Sequence, residues 1–133
     1  MNFKFSVLTK NKIKKFNKTI LVESDKSISH RALLIASQCI GPSNIKGVLE
    51  SEDVKNTIKC LKNLGVKIIK KKDKYIVFGN GLGSFKNPIK NQLYAGNSGT
   101  LARMLIAIIS THPNLKLKIS GDSSLNKRDM KRV

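Results

Sequence analysis

The chain has little of the aromatic and sulfur chemistry on which many functional sites depend. Tryptophan is absent, aromatic residues make up 5% of the 133 residues, and there are two cysteines. Cys39 and Cys60 stand alone, without a CxxC pair or a His/Cys cluster at metal-ligand spacing. The sequence therefore predicts no metal site, and both cysteines are expected to be core thiols inside helices, in a reducing compartment.

Long apolar runs are also missing. No apolar run exceeds six residues, which is too short for a transmembrane helix. Residues 1–10 alternate like a strand and lack the apolar core of a signal peptide. We therefore expect a cytoplasmic protein without a membrane partner.

Acidic residues are scarce. The chain has 8 acidic and 26 basic residues, which gives a net charge of +18. Such an excess favours nucleic-acid binding. The 22 lysines are accompanied by 12 asparagines and 15 isoleucines, which is typical of an AT-rich coding sequence. The lysines are spread along the chain, and no set of aromatic residues for base stacking accompanies them. A basic nucleic-acid-binding module is therefore kept as an alternative function.

The apolar pattern predicts an α/β fold of about one domain. Gly41-Pro42 and Gly65 are helix stop signals, and Ser51 is a candidate N-cap. Strands are predicted at 3–8, 19–22, 44–49, 66–69, 75–78, 92–95 and 115–119, and helices over 26–40, 51–64 and 98–110. Residues 79–83 are predicted to be a loop, His30 a packing or hydrogen-bonding residue, and His112 a surface residue.

Two of the predicted helices begin alike, which suggests a repeated unit. Ser27-x-x-x-Arg31 opens the first, Gly99-x-x-x-Arg103 opens the second, and an apolar run follows each arginine. The element order β-α-β-α-β-β restarts after the first copy and stops early. We therefore predict an N-terminal strand and basic connection over 1–18, followed by one and a half βαβαββ units at 19–79 and 90–133.

Arginine is the rare basic residue here, and its positions predict anion sites. Arg31 and Arg103 lie about one turn into helices whose free N-terminal backbone N–H groups attract anions, and Arg128 follows the last predicted strand. Arginine binds phosphate and carboxylate bidentately, which lysine cannot do. Ordinary serine caps with a solvent-directed arginine would explain either helix alone. The same arrangement at both helices, together with Arg128, favours anion binding.

These stretches resemble the 5-enolpyruvylshikimate-3-phosphate synthase family, whose members are 3-phosphoshikimate 1-carboxyvinyltransferases. The resembling segments are Asp25–Ala32, Gly96–Thr100 with Arg103, and Gly121–Met130. Their order and spacing match the family from about residue 16 to residue 133. The related UDP-N-acetylglucosamine enolpyruvyl transferases share the fold but typically have asparagine after their lysine. Ser27 with His30-Arg31 favours the shikimate branch, and the other branch is kept as an alternative.

The resemblance implies an activity and a set of site residues. The enolpyruvyl group of phosphoenolpyruvate would pass to the 5-hydroxyl of shikimate 3-phosphate through a tetrahedral intermediate, with no metal or organic cofactor, in the biosynthesis of chorismate and aromatic amino acids. Glyphosate is the expected inhibitor, because Gly99 leaves the pocket open. The implied site residues are Lys26 as the catalytic residue in contact with both ligands, Ser27 and Arg31 for shikimate 3-phosphate, Gly99 and Arg128 for phosphoenolpyruvate, Asn97 and Thr100 for the shape of the loop, and Arg103 as support.

The resemblance also implies that the chain is an N-terminal portion. The family's fold has two similar domains, each of three βαβαββ units, with helix N-termini directed at the cleft between them. The acid–base carboxylates would come from a missing C-terminal portion, so this chain alone is expected to be inactive. The chain departs from the family at Glu23-Ser24, where the family usually has Pro-Gly, and at Asp129, which replaces a common proline beside Arg128.

Overall fold

The structure, a computed structural model, describes residues 23–131 and residue 133. The predicted N-terminal strand and basic connection over 1–18, and the strand predicted at 19–22, lie outside the described residues. The described elements are α1 (Lys26–Gln38), β1 (Ile40–Lys46), α2 (Glu52–Asn63), β2 (Lys67–Lys70), β3 (Lys74–Asn80), β4 (Gln92–Tyr94), α3 (Gly99–Ile109), β5 (Lys118–Ser120) and α4 (Ser123–Asn126).

Side-chain caps define where the three long helices begin. Asp25, Ser51 and Ser98 accept hydrogen bonds from the backbone N–H groups three residues ahead of them. These bonds satisfy donors that the first turn of a helix leaves without partners. Helix α2 ends at Asn63, with Leu64 as its C-cap, and Gly65 follows with a φ of 90° that suits glycine. The predicted starts of the three helices and the stop at Gly65 are confirmed.

The strands form two small sheets. In the first, the order is β1-β3-β2 and both pairs are antiparallel, so the predicted hairpin of β2 and β3 is confirmed. In the second, β4 and β5 are parallel, with α3 as the crossover between them.

Several strand boundaries differ from the prediction, most clearly those of β1, which spans Ile40–Lys46 instead of 44–49. Strand β1 begins at Ile40 and includes Gly41 and Pro42, which pair with Gly79 and Phe78. Because β1 is an edge strand, a proline that donates no ladder hydrogen bond is tolerated there. Strand β5 begins at Lys118 rather than at residue 115. The prediction of a loop over 79–83 is also wrong at its start, since β3 continues to Asn80.

The core lies where the helices meet the sheets. Three pairs of its buried leucines come from α1, from α2 and its C-cap, and from α3, and a seventh comes from β4: Leu33, Leu34, Leu61, Leu64, Leu101, Leu105 and Leu93. Gly79 brings β3 close beneath α1, because a Cβ there would overlap the carbonyl oxygens of Ala36 and Cys39. Among the described residues, no helix is long and apolar enough to span a membrane.

Two predictions of burial are wrong. Cys39 is exposed at the C-cap of α1, whereas Cys60 is buried as expected and burial raises its pKa to about 11. His112 is buried at 4% exposure, because its ring stacks on Phe85 and its Nδ1–H donates to the carbonyl of Ile108 over 3.0 Å. The turn that contains His112 packs against the core instead of lying open to solvent.

Candidate active site

The N-terminus of α1 presents the first group of predicted site residues. Lys26 is the first residue of the helix, and its Nζ lies 3.0 Å from Oδ2 of Asp53 in the first turn of α2. The Lys26 side chain remains 49% exposed. Ser27 is half-buried, and Arg31 lies on the exposed side of the next turn. Lys26 is therefore oriented by an acid of the neighbouring helix, while its ammonium is still open to solvent.

The loop before α3 is held in a tight conformation. Gly96 has a φ of 61°, and a Cβ at this position would collide with the amide of Asn56, a buried side chain on α2. Ser98 then caps α3 by accepting a hydrogen bond from the N–H of Leu101 over 3.2 Å. Glycine is required at position 96 because both its backbone conformation and its contact with α2 exclude a side chain.

Two guanidinium groups converge above Gly99, at the first turn of α3. An ideal Cβ on Gly99 would lie 3.1 Å from an Nη atom of Arg128 and 3.3 Å from one of Arg103. Thr100 lies beside them and is half-buried. Two cations at a helix N-terminus, over a residue without a side chain, form an environment that favours a bound anion.

Asn97 and Asp122 orient Arg128. The guanidinium of Arg128 donates to Oδ1 of Asn97 over 2.6 Å, and the amide of Asn97 donates to Asp122 over 2.7 Å. Asp122 also caps α4 by accepting from the N–H of Leu125. The hydrogen bond from the N–H of Leu125 is the main cause that lowers the pKa of Asp122 below its usual value. The hydrogen bond from Asn97 and the charge of Arg128 lower it further. Asp129, although it is the neighbour of Arg128 in sequence, contacts Lys131 and accepts a hydrogen bond from its backbone N–H over 2.9 Å.

A buried histidine connects the two helix N-termini. The Nδ1 atom of His30 on α1 lies 2.6 Å from Oγ1 of Thr57 on α2, and its Nε2 atom lies 3.5 Å from Oγ of Ser98. His30 is 0% exposed. Burial lowers its pKa, Asp53 partly opposes this shift, and Lys26 adds to it. The predicted packing and hydrogen-bonding role of His30 is confirmed.

The structure thus groups the predicted residues unevenly. It brings Asn97, Gly99, Arg103 and Arg128 together around one helix end, and it places Lys26 and Ser27 at the other. Within the described part of the chain, Arg31 makes no hydrogen bond or ion pair that ties it to either group.

Sequence patterns did not identify the supporting residues on α2. Asp53 was predicted only as an early helix acid, and Asn56 and Thr57 carried no signal. Their spacing on one helix face could have indicated a buried polar side, because Asn56 and Thr57 fall among apolar positions.

Comparisons with known proteins agree with this geometry. The model of the family described as EPSP synthase (3-phosphoshikimate 1-carboxyvinyltransferase) matches residues 10–133. A 3-phosphoshikimate 1-carboxyvinyltransferase of Alkaliphilus metalliredigens is 40% identical over 127 residues, which are 96% of this chain and 29% of the relative. One of Gloeothece citriformis is 44% identical over 115 residues, which are 86% of this chain and 25% of the relative.

Solved structures give the same result for the fold. Two structures of EPSP synthase from Acinetobacter baumannii superpose on 85% of this chain with TM-scores of 0.73 and 0.76, at 35% sequence identity. The chain covers 26% and 25% of those two structures. It therefore spans about a quarter of the length of the relatives that it matches.

Two α/β sections with cationic helix N-termini define part of an enolpyruvyl transferase-type domain. Within that class, the chain belongs to the EPSP synthase family, the 3-phosphoshikimate 1-carboxyvinyltransferases. The comparisons do not favour the nucleic-acid-binding module or the UDP-N-acetylglucosamine branch.

Proposed function

We propose that this chain forms part of an enzyme that transfers the enolpyruvyl group of phosphoenolpyruvate to the 5-hydroxyl of shikimate 3-phosphate. The observation that carries the proposal, together with the family match, is the convergence of Arg103 and Arg128 above Gly99. Both substrates carry phosphate and carboxylate groups, which require a fixed cationic site. The activity is a proposal because the chain spans only about a quarter of its relatives.

In the proposed reaction, the 5-hydroxyl adds to C2 of phosphoenolpyruvate and gives up its proton to a base, while the methylene carbon gains a proton from an acid. Loss of a proton from the resulting methyl group and departure of phosphate then restore the enolpyruvyl double bond. Lys26 would contact both ligands and stabilise their charge, and its ion pair with Asp53 supports this role by orienting the ammonium. The carboxylates that move the protons would come from the further length that the relatives possess.

The two groups of residues divide the ligands between them. Ser27 and Arg31 would bind shikimate 3-phosphate at the N-terminus of α1, since a hydroxyl and a guanidinium there suit a phosphate. Arg128 would bind the anionic groups of phosphoenolpyruvate above Gly99, with Arg103 as a supporting cation. The remaining loop residues, Asn97 and Thr100, would hold the shape of this pocket.

Glyphosate is the proposed inhibitor. It carries a carboxylate and a phosphonate, so it suits the same cations as phosphoenolpyruvate. Gly99 leaves space in front of the two guanidinium groups that a side chain would occupy.

We also propose a cytoplasmic location, which the two free cysteines support because disulfides are rare in reducing compartments.

The proposal is tested by substrate binding in a chimera. In this chimera, the present chain replaces the segment of the Alkaliphilus metalliredigens relative that it matches. Calorimetry should show binding of shikimate 3-phosphate, and Arg31→Ala should weaken it by about tenfold or more, since a hydrogen bond to a charged group contributes about 1.5–3 kcal/mol. Lys90→Ala, a substitution of an exposed cation outside both groups, is the matched control. Unchanged affinity in Arg31→Ala would remove Arg31 from the site.

A further inference from the structure

His30 occupies the junction of three helices without contacting the proposed anion positions. It belongs to α1, its Nδ1 faces Thr57 on α2, and its Nε2 faces Ser98, the N-cap of α3. The ring is fully buried, so its polar atoms must find partners inside the protein. Its protonation therefore depends on what those partners can donate and accept.

The hydrogen bond from Thr57 to Asp53 favours one tautomer of His30. The Thr57 hydroxyl has one proton, and it donates this proton to the carbonyl of Asp53 over 3.2 Å. With its proton engaged in that bond, the oxygen of Thr57 is free to accept from His30, an arrangement that has the ring proton on Nδ1. The unprotonated Nε2 accepts from the hydroxyl of Ser98, whose oxygen accepts from the N–H of Leu101. In the opposite tautomer, the Thr57 hydroxyl would donate its proton to Nδ1 of His30. Its contact with the carbonyl of Asp53 would then have no proton between the two oxygens.

We propose that His30, as a neutral imidazole protonated at Nδ1, is a positioning residue that fixes the first turn of α3 against α1 and α2. Through Ser98 it sets the orientation of the helix end that carries Gly99, and so the geometry of the anion site beneath Arg103 and Arg128. This role rests on the proposed function, because it assigns His30 to the geometry of that site. His30 is not a catalytic residue, since it touches neither proposed ligand position.

The charges around His30 agree with a neutral ring. Lys26 on α1 and Asp53 on α2 are the charged groups that act on it, with opposite effects, and α3 contributes the uncharged Ser98. The positive end of α3 also faces the ring, which disfavours an imidazolium. The contact between Nε2 and Oγ of Ser98, at 3.5 Å, is long for a hydrogen bond.

The test uses the full chain without ligand. A two-bond proton–nitrogen correlation spectrum should show the His30 ring protonated at Nδ1 only. Amide hydrogen exchange at Leu101, expressed relative to Leu64 at the end of α2, should rise about five- to thirtyfold in His30→Asn. The asparagine amide reaches Thr57 but not Ser98. His30→Gln extends to Ser98 and should restore most of the protection.

His112→Asn is the matched control, because His112 is also buried but contacts Phe85 and Ile108 instead of α2. It should leave the ratio of Leu101 to Leu64 exchange unchanged. A His30 ring protonated at Nε2, or an unchanged ratio in His30→Asn, would overturn the role of His30. Because these measurements need no substrate, either failure would leave the proposed function standing, whereas failed substrate binding in the chimera would overturn the function and leave the tautomer intact.

Discussion

At the scale of single residues, the proposed phosphoenolpyruvate site depends on a glycine, Gly99, because a side chain there would meet the guanidinium groups of Arg103 and Arg128. Gly99 lies on a helix with ordinary backbone angles, so its conformation does not require glycine. What requires it is the proximity of two guanidinium groups, which an added methyl group would contact at 3.1 and 3.3 Å. The sequence motif predicted that Gly99 borders the phosphoenolpyruvate pocket, and the two nearby guanidinium groups support that prediction without testing it.

Gly99→Ala should therefore weaken phosphoenolpyruvate binding. The Cβ displaces the guanidinium groups of Arg103 and Arg128 by a few tenths of an ångström, and small displacements of a binding group reduce rates strongly. In steady-state kinetics of the chimera, we expect the KM for phosphoenolpyruvate and the inhibition constant for glyphosate to rise about tenfold or more. Gly83→Ala, outside the site, is the control. An unchanged KM in Gly99→Ala would contradict this account of the pocket.

His30 should also make stability depend on pH. Its folded-state pKa is lowered, so as the pH falls the unfolded chain binds the proton before the folded chain does. Stability is therefore complete above the unfolded pKa of about 6.5 and declines as the pH falls below it. The lowered pKa of Asp122 acts separately, because its contribution is lost only as the pH falls below the usual carboxyl range.

Urea unfolding of the chain at a series of pH values measures this dependence. The free energy of unfolding of the wild type should begin to decline near pH 6.5, as expected for an unfolded histidine. His30→Gln should flatten the curve down to the carboxyl range. An equal slope in both proteins would mean that His30 titrates with the same pKa in the folded and unfolded states.

At the scale of elements, α2 supports both halves of the proposed site. Along one face it holds Lys26 through Asp53, the Gly96 loop through Asn56, and His30 through Thr57. Cys60 continues the same face with a 3.4 Å contact to the carbonyl of Tyr94 in β4. The geometry between the two helix N-termini is therefore fixed by a helix that contributes no proposed ligand contact.

Gly79→Ala tests the packing of β3 beneath α1. The added Cβ would overlap the carbonyl oxygens of Ala36 and Cys39, so the strand and the helix must separate. We expect a loss of about 2–3 kcal/mol in the free energy of unfolding, as for other overpacked positions. Gly83→Ala should cost only about 1 kcal/mol from its positive φ, because nothing lies near its Cβ. Equal losses would show that the close approach of β3 to α1 is not rigid.

The sequence predicted the helices better than the strands, for physical reasons. Helix starts depend on local caps such as Asp25, Ser51 and Ser98, which are visible in the chain itself. Strand β1 was predicted to begin too late because Pro42 is typical of a stop, and only the sheet order shows that its edge position tolerates proline. The division into units at 19–79 and 90–133 stays a prediction.

The proposed site could be predicted only in part, because local patterns in the sequence do not show contacts between distant residues. The arginines and glycines stood out because they are scarce or carry a motif, whereas the contacts of Asn56 and Thr57 join residues far apart in the chain. His112 was wrongly placed on the surface, because its stacking on Phe85 is equally remote in sequence. Local patterns indicate which residues can bind an anion, but not which residues hold them in place.

At the scale of the whole molecule, the chain provides one cationic surface of a proposed two-sided site. Its net charge of +18 suits anionic substrates, but the specific evidence lies in the few arginines at helix ends rather than in the many lysines. The relatives are about four times as long as the stretch that they share with this chain. Their further length would supply the groups that face this surface and transfer protons.

The most direct test is phosphate release by the chimera with shikimate 3-phosphate and phosphoenolpyruvate. We predict release that requires both substrates, and a loss of about a hundredfold or more in kcat/KM in Lys26→Ala, because a positioned cation that stabilises developing charge contributes on this scale. The unmodified Alkaliphilus metalliredigens enzyme is the positive control. A folded chimera that binds neither substrate and releases no phosphate, beside an active control, would contradict the proposed function.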